Sequence, residues 1–121
     1  MASLRDMLGQ MLSVPGVQAS TLVGREGLPI EAVGRGDARF FETLGALGAS
    51  ALGTTEALGQ ELGQGGTLGA VLEFDHALVN VEPVGEYAAV VTLMEGPASL
   101  GRVRQALRAL APEFLRVLDM R

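Results

Sequence analysis

Apolar positions along the 121-residue chain change their spacing several times, and each change marks an element. Over residues 3–13, Leu4, Met7, Leu8 and Met11 recur at helical intervals. Ser3 and Asp6 have the spacing of a capping box, with Asp in the usual Glu place, and Pro15-Gly16 ends the segment. Residues 17–23 then read as a strand, Gly24 to Gly27 as a turn, and residues 28–33 as a returning strand. Pro29 cannot donate a ladder hydrogen bond, which puts the second strand at a sheet edge.

Residues 38–62 predict a long helix with two neighbouring stripes. Phe40, Leu44, Leu47, Ala51, Leu58 and Leu62 fall within about 60° at roughly 100° per residue, and this bulky stripe is expected to cover the sheet. Beside it runs a stripe rich in small residues: Phe41, Gly45, Gly48, Leu52, Gly59 and Gly63. Each interior helical glycine costs about 1 kcal/mol relative to alanine, so something should offset Gly45, Gly48, Gly53 and Gly59. Small residues let two helix backbones approach, with Phe41 and Leu52 supplying apolar area, and a helix–helix seam is favoured. The alternative is a helix lying tight on its own sheet.

After Gln64-Gly65-Gly66, residues 67–74, 77–83 and 87–94 read as three strands joined by tight turns at Asp75-His76 and Gly85-Glu86. Gly96-Pro97 opens a last helix with a stripe from Leu100 through Val103, Leu107, Leu110 and Phe114 to Leu118. Pro112 should kink that helix or split it. The order is helix, two strands, helix, three strands, helix, in a single α/β (α+β) domain over residues 1–121. Thr67 to Phe74 is the outer strand of the meander, and an unpaired apolar edge invites pairing with its twin. Leu68, Ala70 and Leu72 are its candidate contact residues, beside Phe41, Gly45, Gly48, Leu52 and Gly59 on the helix.

Composition narrows the chemistry. Hydrophobic residues make up 48% of the chain and aromatics only 4%, so the core is aliphatic. No cysteine is present, which fits a reducing cytoplasm. The net charge is −5, unevenly spread: residues 1–97 carry four Arg against twelve acids, residues 98–121 five Arg against two. An acidic chain is a poor nucleic-acid binder, and Arg102, Arg104, Arg108 and Arg116 are better read as a solvated helix face. There is no Lys, so no phosphate loop of the Walker type. Abundant Gly and Ala with Arg as the only basic type point to GC-rich coding and a bacterial source. No apolar run is long enough to span a membrane, and the N-terminus does not read as a signal peptide.

Catalytic and metal sites are not expected. His76, the only histidine, sits beside Asp75 in a turn, where no nucleophile, base and orienting group converge. One His and no Cys argue strongly against a zinc site. Glu82 and Glu86, flanking the turn at Gly85, read as a solvated loop. Gly24, Gly27, Gly34 and Gly36 are not followed by a helix where a dinucleotide site needs one, so no cofactor is expected. Loop arginines Arg25 and Arg35 could act as fingers in phosphoryl transfer, but this is disfavoured.

Two motifs carry a resemblance. Val14-Pro15-Gly16-Val17 joins the first helix to the first strand, and Gly27-Leu28-Pro29-Ile30 follows ten residues on. With the element order and length, the chain resembles the roadblock/dynein light chain family over nearly its whole extent. The resemblance implies a profilin-like fold: a five-stranded antiparallel sheet, the middle helix on one face and the terminal helices on the other. It implies homodimers, with paired middle helices and a sheet continued through the third strands. It also implies that a bacterial member regulates a small Ras-like GTPase, as the gliding-motility type does, or else serves as a scaffold for a signalling or motility complex. The expectation is a cytoplasmic, non-catalytic homodimer contacting the GTPase through the middle helices, with Glu42, Ala49 and Glu56 as candidate contacts. An enzyme or small-molecule sensor would need a deep polar pocket, for which the sequence offers too few convergent groups.

Overall fold

The computed structural model describes residues 2–119. Helix α1 (Leu4–Gly9) begins on the expected capping box: the Ser3 Oγ accepts from the Asp6 N–H at 3.0 Å, and the Asp6 carboxylate accepts from the Ser3 N–H at 3.3 Å. Both reciprocal bonds satisfy donors that a helix start would otherwise strand. The helix tightens into a 3-10 turn (Gln10–Ser13) before strand β1 (Val17–Gly24). Strand β2 (Pro29–Gly34) returns antiparallel to β1 and forms one edge of the sheet, as Pro29 requires.

Helix α2 (Ala38–Glu61) starts at Asp37, whose Oδ1 accepts from the Phe40 N–H at 2.8 Å. Strands β3 (Ala70–Glu73), β4 (Leu78–Val84) and β5 (Ala88–Met94) follow as a meander. The sheet order is β2-β1-β5-β4-β3, all antiparallel, so β3 is the second edge. This edge strand is shorter than the expected 67–74. Thr67, Leu68 and Gly69 approach it without entering the ladder, so Leu68 lies outside the strand.

A short 3-10 turn (Pro97–Ser99) leads into α3 (Leu100–Asp119). That helix is neither split nor ended at Pro112. Proline removes the hydrogen bond to the carbonyl four residues back. Here that is Arg108, and since both residues face solvent, water can serve the freed carbonyl.

Strands β1, β4 and β5 are covered on both faces, which is why they read as nearly continuous apolar runs. On one face Leu22, Val90, Met94 and Leu78 pack beneath α1 and α3, with Phe114 and Leu107 of α3 fully enclosed. On the other face Val23, Val91, Val79 and Val81 pack beneath α2, against Ala49 and Leu52. The resulting order is helix pair, sheet, single helix, as the resemblance implied.

Candidate functional site

The face that α2 turns to its own sheet is the small-residue one. Phe41, Gly45, Gly48, Ala49 and Leu52 are all buried within this single chain. A Cβ on Gly48 would lie 2.5 Å from Val91 Cγ2, and one on Gly45 would lie 2.6 Å from Val23 Cγ1 and 3.3 Å from the Gly27 carbonyl oxygen. Carbon atoms make good contact only near 3.5–4.0 Å. The glycines therefore let the helix backbone sink onto β1 and β5, and the resulting packing offsets their conformational cost. This corrects the expected seam: Phe41, Gly45, Gly48 and Leu52 are sealed by the chain's own strands. Ala49, expected at a partner contact, is buried on the same core. Gly59 lies beside the Gly65–Thr67 loop, 3.6 Å from the Gly65 carbonyl oxygen by its notional Cβ, and does not join the helix–sheet contact.

Gly27 belongs to the same close approach. Its φ is +92°, and a Cβ there would meet the Ala46 backbone at 3.0 Å. The turn of the Gly27-Leu28-Pro29-Ile30 motif is thus fixed both by a backbone conformation that favours glycine and by the helix resting on it.

The bulky stripe, expected to cover the sheet, faces outward. Leu47, Leu58 and Leu62 are 66%, 58% and 61% exposed. Phe40 and Leu44 are half-buried, and Leu44 packs against the edge of the α2-side core. Next to them the β3 edge presents Leu72, half-buried, and Phe74, exposed. Phe40, Leu44, Leu47, Leu72 and Phe74 line an apolar groove of about 200 Å³ between α2 and the sheet edge. Large exposed apolar patches on soluble domains mark interaction surfaces, and this one joins an unpartnered helix face to an unpartnered strand edge.

The Roadblock/LC7 domain family model matches residues 4–93. The chain is a roadblock domain. No curated protein sequence matches it. Among solved structures, one described as MglB with tetrameric arrangement is 22% identical, with a TM-score of 0.84 over 99% of this chain and 94% of its own. Myxococcus xanthus MglB is 16% identical, with a TM-score of 0.83 over 99% of this chain and 100% of its own. A Roadblock/LC7 domain from Streptomyces avermitilis is 20% identical, with a TM-score of 0.80 over 94% and 99%. At such identities the likeness carries the fold.

Within this roadblock domain the other singled-out residues scatter. Glu56 is held by Arg25, whose guanidinium also donates to the Gly85 carbonyl oxygen at 3.1 Å. Arg25 thereby ties the β1–β2 turn, the β4–β5 turn and α2 together, and is not extended toward solvent as a finger would be. Glu42 is exposed with no such tie. Ala70 and Leu72 sit half-buried on the β3 edge. Asp75 and His76 are an exposed turn. Glu82 departs from expectation: it is not in a solvated loop but on β4, facing α3 and 6% exposed. Among the described residues, no group of three or more His, Cys, Asp or Glu is placed to hold a metal, and no helix is long and apolar enough to cross a membrane.

Leu47, Leu58, Leu62 and Phe74 are surface residues that hydrophobicity alone places in the core. A signal for the helix positions was present in their order. Leu44, Leu47 and Ala51 read forward as Leu62, Leu58 and Thr55 read backward, with the centre of the pattern near residue 53.

Proposed function

We propose that this roadblock domain forms a homodimer through the exposed leucine stripe of α2 and the β3 edge, and that the dimer is a non-catalytic cytoplasmic regulator of a small Ras-like GTPase. The observation that carries the dimer is the pseudo-palindromic order of the stripe. A two-fold interface is isologous: residue i meets j, and j meets i. Antiparallel pairing about residue 53 sets Leu47 against Leu58 and Leu44 against Leu62, with Ala51 and Thr55 at the narrow centre. Leu58 and Leu62 of each copy then reach toward the apolar groove of the other. Burying a leucine fully contributes about 1.5–3 kcal/mol, so removing Leu47, Leu58 and Leu62 of both copies from water is a large driving force.

The dimer presents a continuous helical surface with acidic Glu42 beside it. Regulation follows from favouring one switch conformation of the GTPase, since a ligand shifts a conformational equilibrium only by its differential affinity for the two states. The family and the MglB-like fold support the choice of a GTPase as partner.

Sedimentation should show a dimer, and mixing with a Ras-like GTPase from the same organism should change GTP turnover in proportion to dimer concentration. A monomer at micromolar concentration would end the dimer proposal. Binding without any change in turnover would make the protein a scaffold.

A further inference from the structure

The opposite face of the sheet holds a groove with different chemistry. It runs between β4 and α3, beneath the Thr67–Leu68 approach to β3, with a volume of about 270 Å³. Val84, Leu107 and Ala111 give it apolar walls, and Glu82 lies deep within it. Among the described residues, the only hydrogen-bond donor to the Glu82 carboxylate is Asn80 Nδ2, at 2.9 Å. The ion pairs among those residues are Arg5–Glu31, Arg25–Glu56 and Arg116–Glu113, so Glu82 has no cation. Asn80 itself is fully buried, and its Oδ1 has no donor. Two adjacent acceptors are thus supplied with a single N–H between them. An enclosed carboxylate without a counter-charge is strongly disfavoured.

We propose that this groove receives the guanidinium or ammonium end of an arginine or lysine side chain from a partner protein. A basic side chain supplies both the charge and the N–H donors that Glu82 lacks, and its methylene stem suits the apolar walls. Leu68, 79% exposed at the mouth, offers an apolar shoulder for the partner's backbone. The volume suits one side chain and is too small for a helix. Arg108 lines the groove from α3 without pairing with Glu82, so its like charge opposes the incoming cation. The site lies across the sheet from α2 and does not rest on the GTPase; its mouth at Thr67 and Leu68 adjoins the β3 edge.

The test is an amide-shift titration of the ¹⁵N-labelled full-length protein with N-acetyl-arginine amide, against the isosteric uncharged N-acetyl-citrulline amide. The arginine compound should shift amides around Leu68, Val84 and Leu107 and saturate at about 1–10 mM, while citrulline should not. Glu82→Gln preserves shape and can still accept from Asn80; it should weaken binding at least about tenfold. Arg108→Gln should tighten binding a few-fold with an unchanged melting temperature. The proposal is overturned by an equal response to citrulline, by indifference to E82Q, or by no saturable shift. A lower melting temperature in R108Q would make Arg108 the chain's own counter-ion and overturn it as well. Tighter binding of putrescine than of capped arginine would assign the groove to a free amine instead of a protein side chain.

Discussion

One face of α2 sets Gly45, Gly48 and Ala49 between Phe41 and Leu52 and lies hard on β1 and β5; the other, about 110° around the helix, carries most of the leucines and faces solvent. Ranking residues by hydrophobicity would reverse these faces. Depth of approach decides the matter. A helix that meets a sheet through glycine brings its backbone close to the strand side chains, so Val23 and Val91 fill the contact from below. Close-packed interiors reward complementary shape as well as apolar area. Among the described residues, the leucine face meets the core only where Leu44 packs against its edge. It is apolar without being core, the expected character of a surface that meets a second copy.

The largest effect should come from breaking the tight face. Gly48→Leu would drive a side chain into Val91, which as a β-branched residue has little rotamer freedom to move away. The expected loss is about 3 kcal/mol or more, a large part of the roughly 5–15 kcal/mol that holds an ordinary domain folded. Denaturant unfolding with far-UV circular dichroism checks it. A variant that stays folded but turns monomeric would restore the glycine seam that the structure argues against.

Next in size is the leucine face. Leu47→Glu combined with Leu58→Glu should leave the monomer fold intact, since both positions are exposed, yet weaken self-association at least about 100-fold, or roughly 3 kcal/mol. Across an antiparallel pair the substitutions place acid against acid on both sides of the two-fold, which adds repulsion to the lost burial. Sedimentation velocity against concentration measures the shift. An unchanged dimer would move the contact to β3 alone or off this face entirely.

These two experiments mark the boundary of what the sequence could reveal. Element order, both edge strands, the Ser3–Asp6 cap and the buried stripe of α3 were legible because each rests on local geometry or on one unambiguous period. The orientation of α2 was not. Both of its stripes have helical spacing, and choosing between them depends on residues distant in sequence, Val23, Gly27 and Val91, that only the folded sheet brings beneath Gly45 and Gly48. Glu82 was misjudged for a related reason. Its closeness to Gly85 suggested a loop, whereas strand alternation with Leu78, Asn80 and Val84 turns it toward α3.

A smaller effect should follow at the tie between the hairpin turns and α2. Glu56→Gln removes the charge that meets Arg25, on side chains 38% and 25% exposed. Solvent screening limits the expected loss to about 1 kcal/mol or less. The Arg25 bond to the Gly85 carbonyl persists, so thermal unfolding should shift only slightly. If the tie also sets the position of the leucine stripe, E56Q should weaken the dimer more than it weakens the fold, and comparing the two measurements separates a local ion pair from a positioning contact.

The finest test uses a glycine that the two-face comparison leaves unexplained. Gly53 is exposed, has a helical backbone, and a Cβ there would meet nothing within 4 Å. It lies about 150° around from the leucine stripe and about 95° from the buried face, so neither a dimer nor the sheet requires it. Gly53→Ala should therefore stabilise the domain by about 0.5–1 kcal/mol, through helix propensity and a less flexible unfolded chain. Thermal or denaturant unfolding reads the gain, and sedimentation should not change. The contrast with Gly48 is the point: two glycines five residues apart on one helix, substituted with opposite sign because one touches Val91 and the other touches nothing. Were Gly53→Ala to destabilise the dimer, close helix–helix approach would have to lie on that third side, and the leucine stripe could not be the axis of pairing.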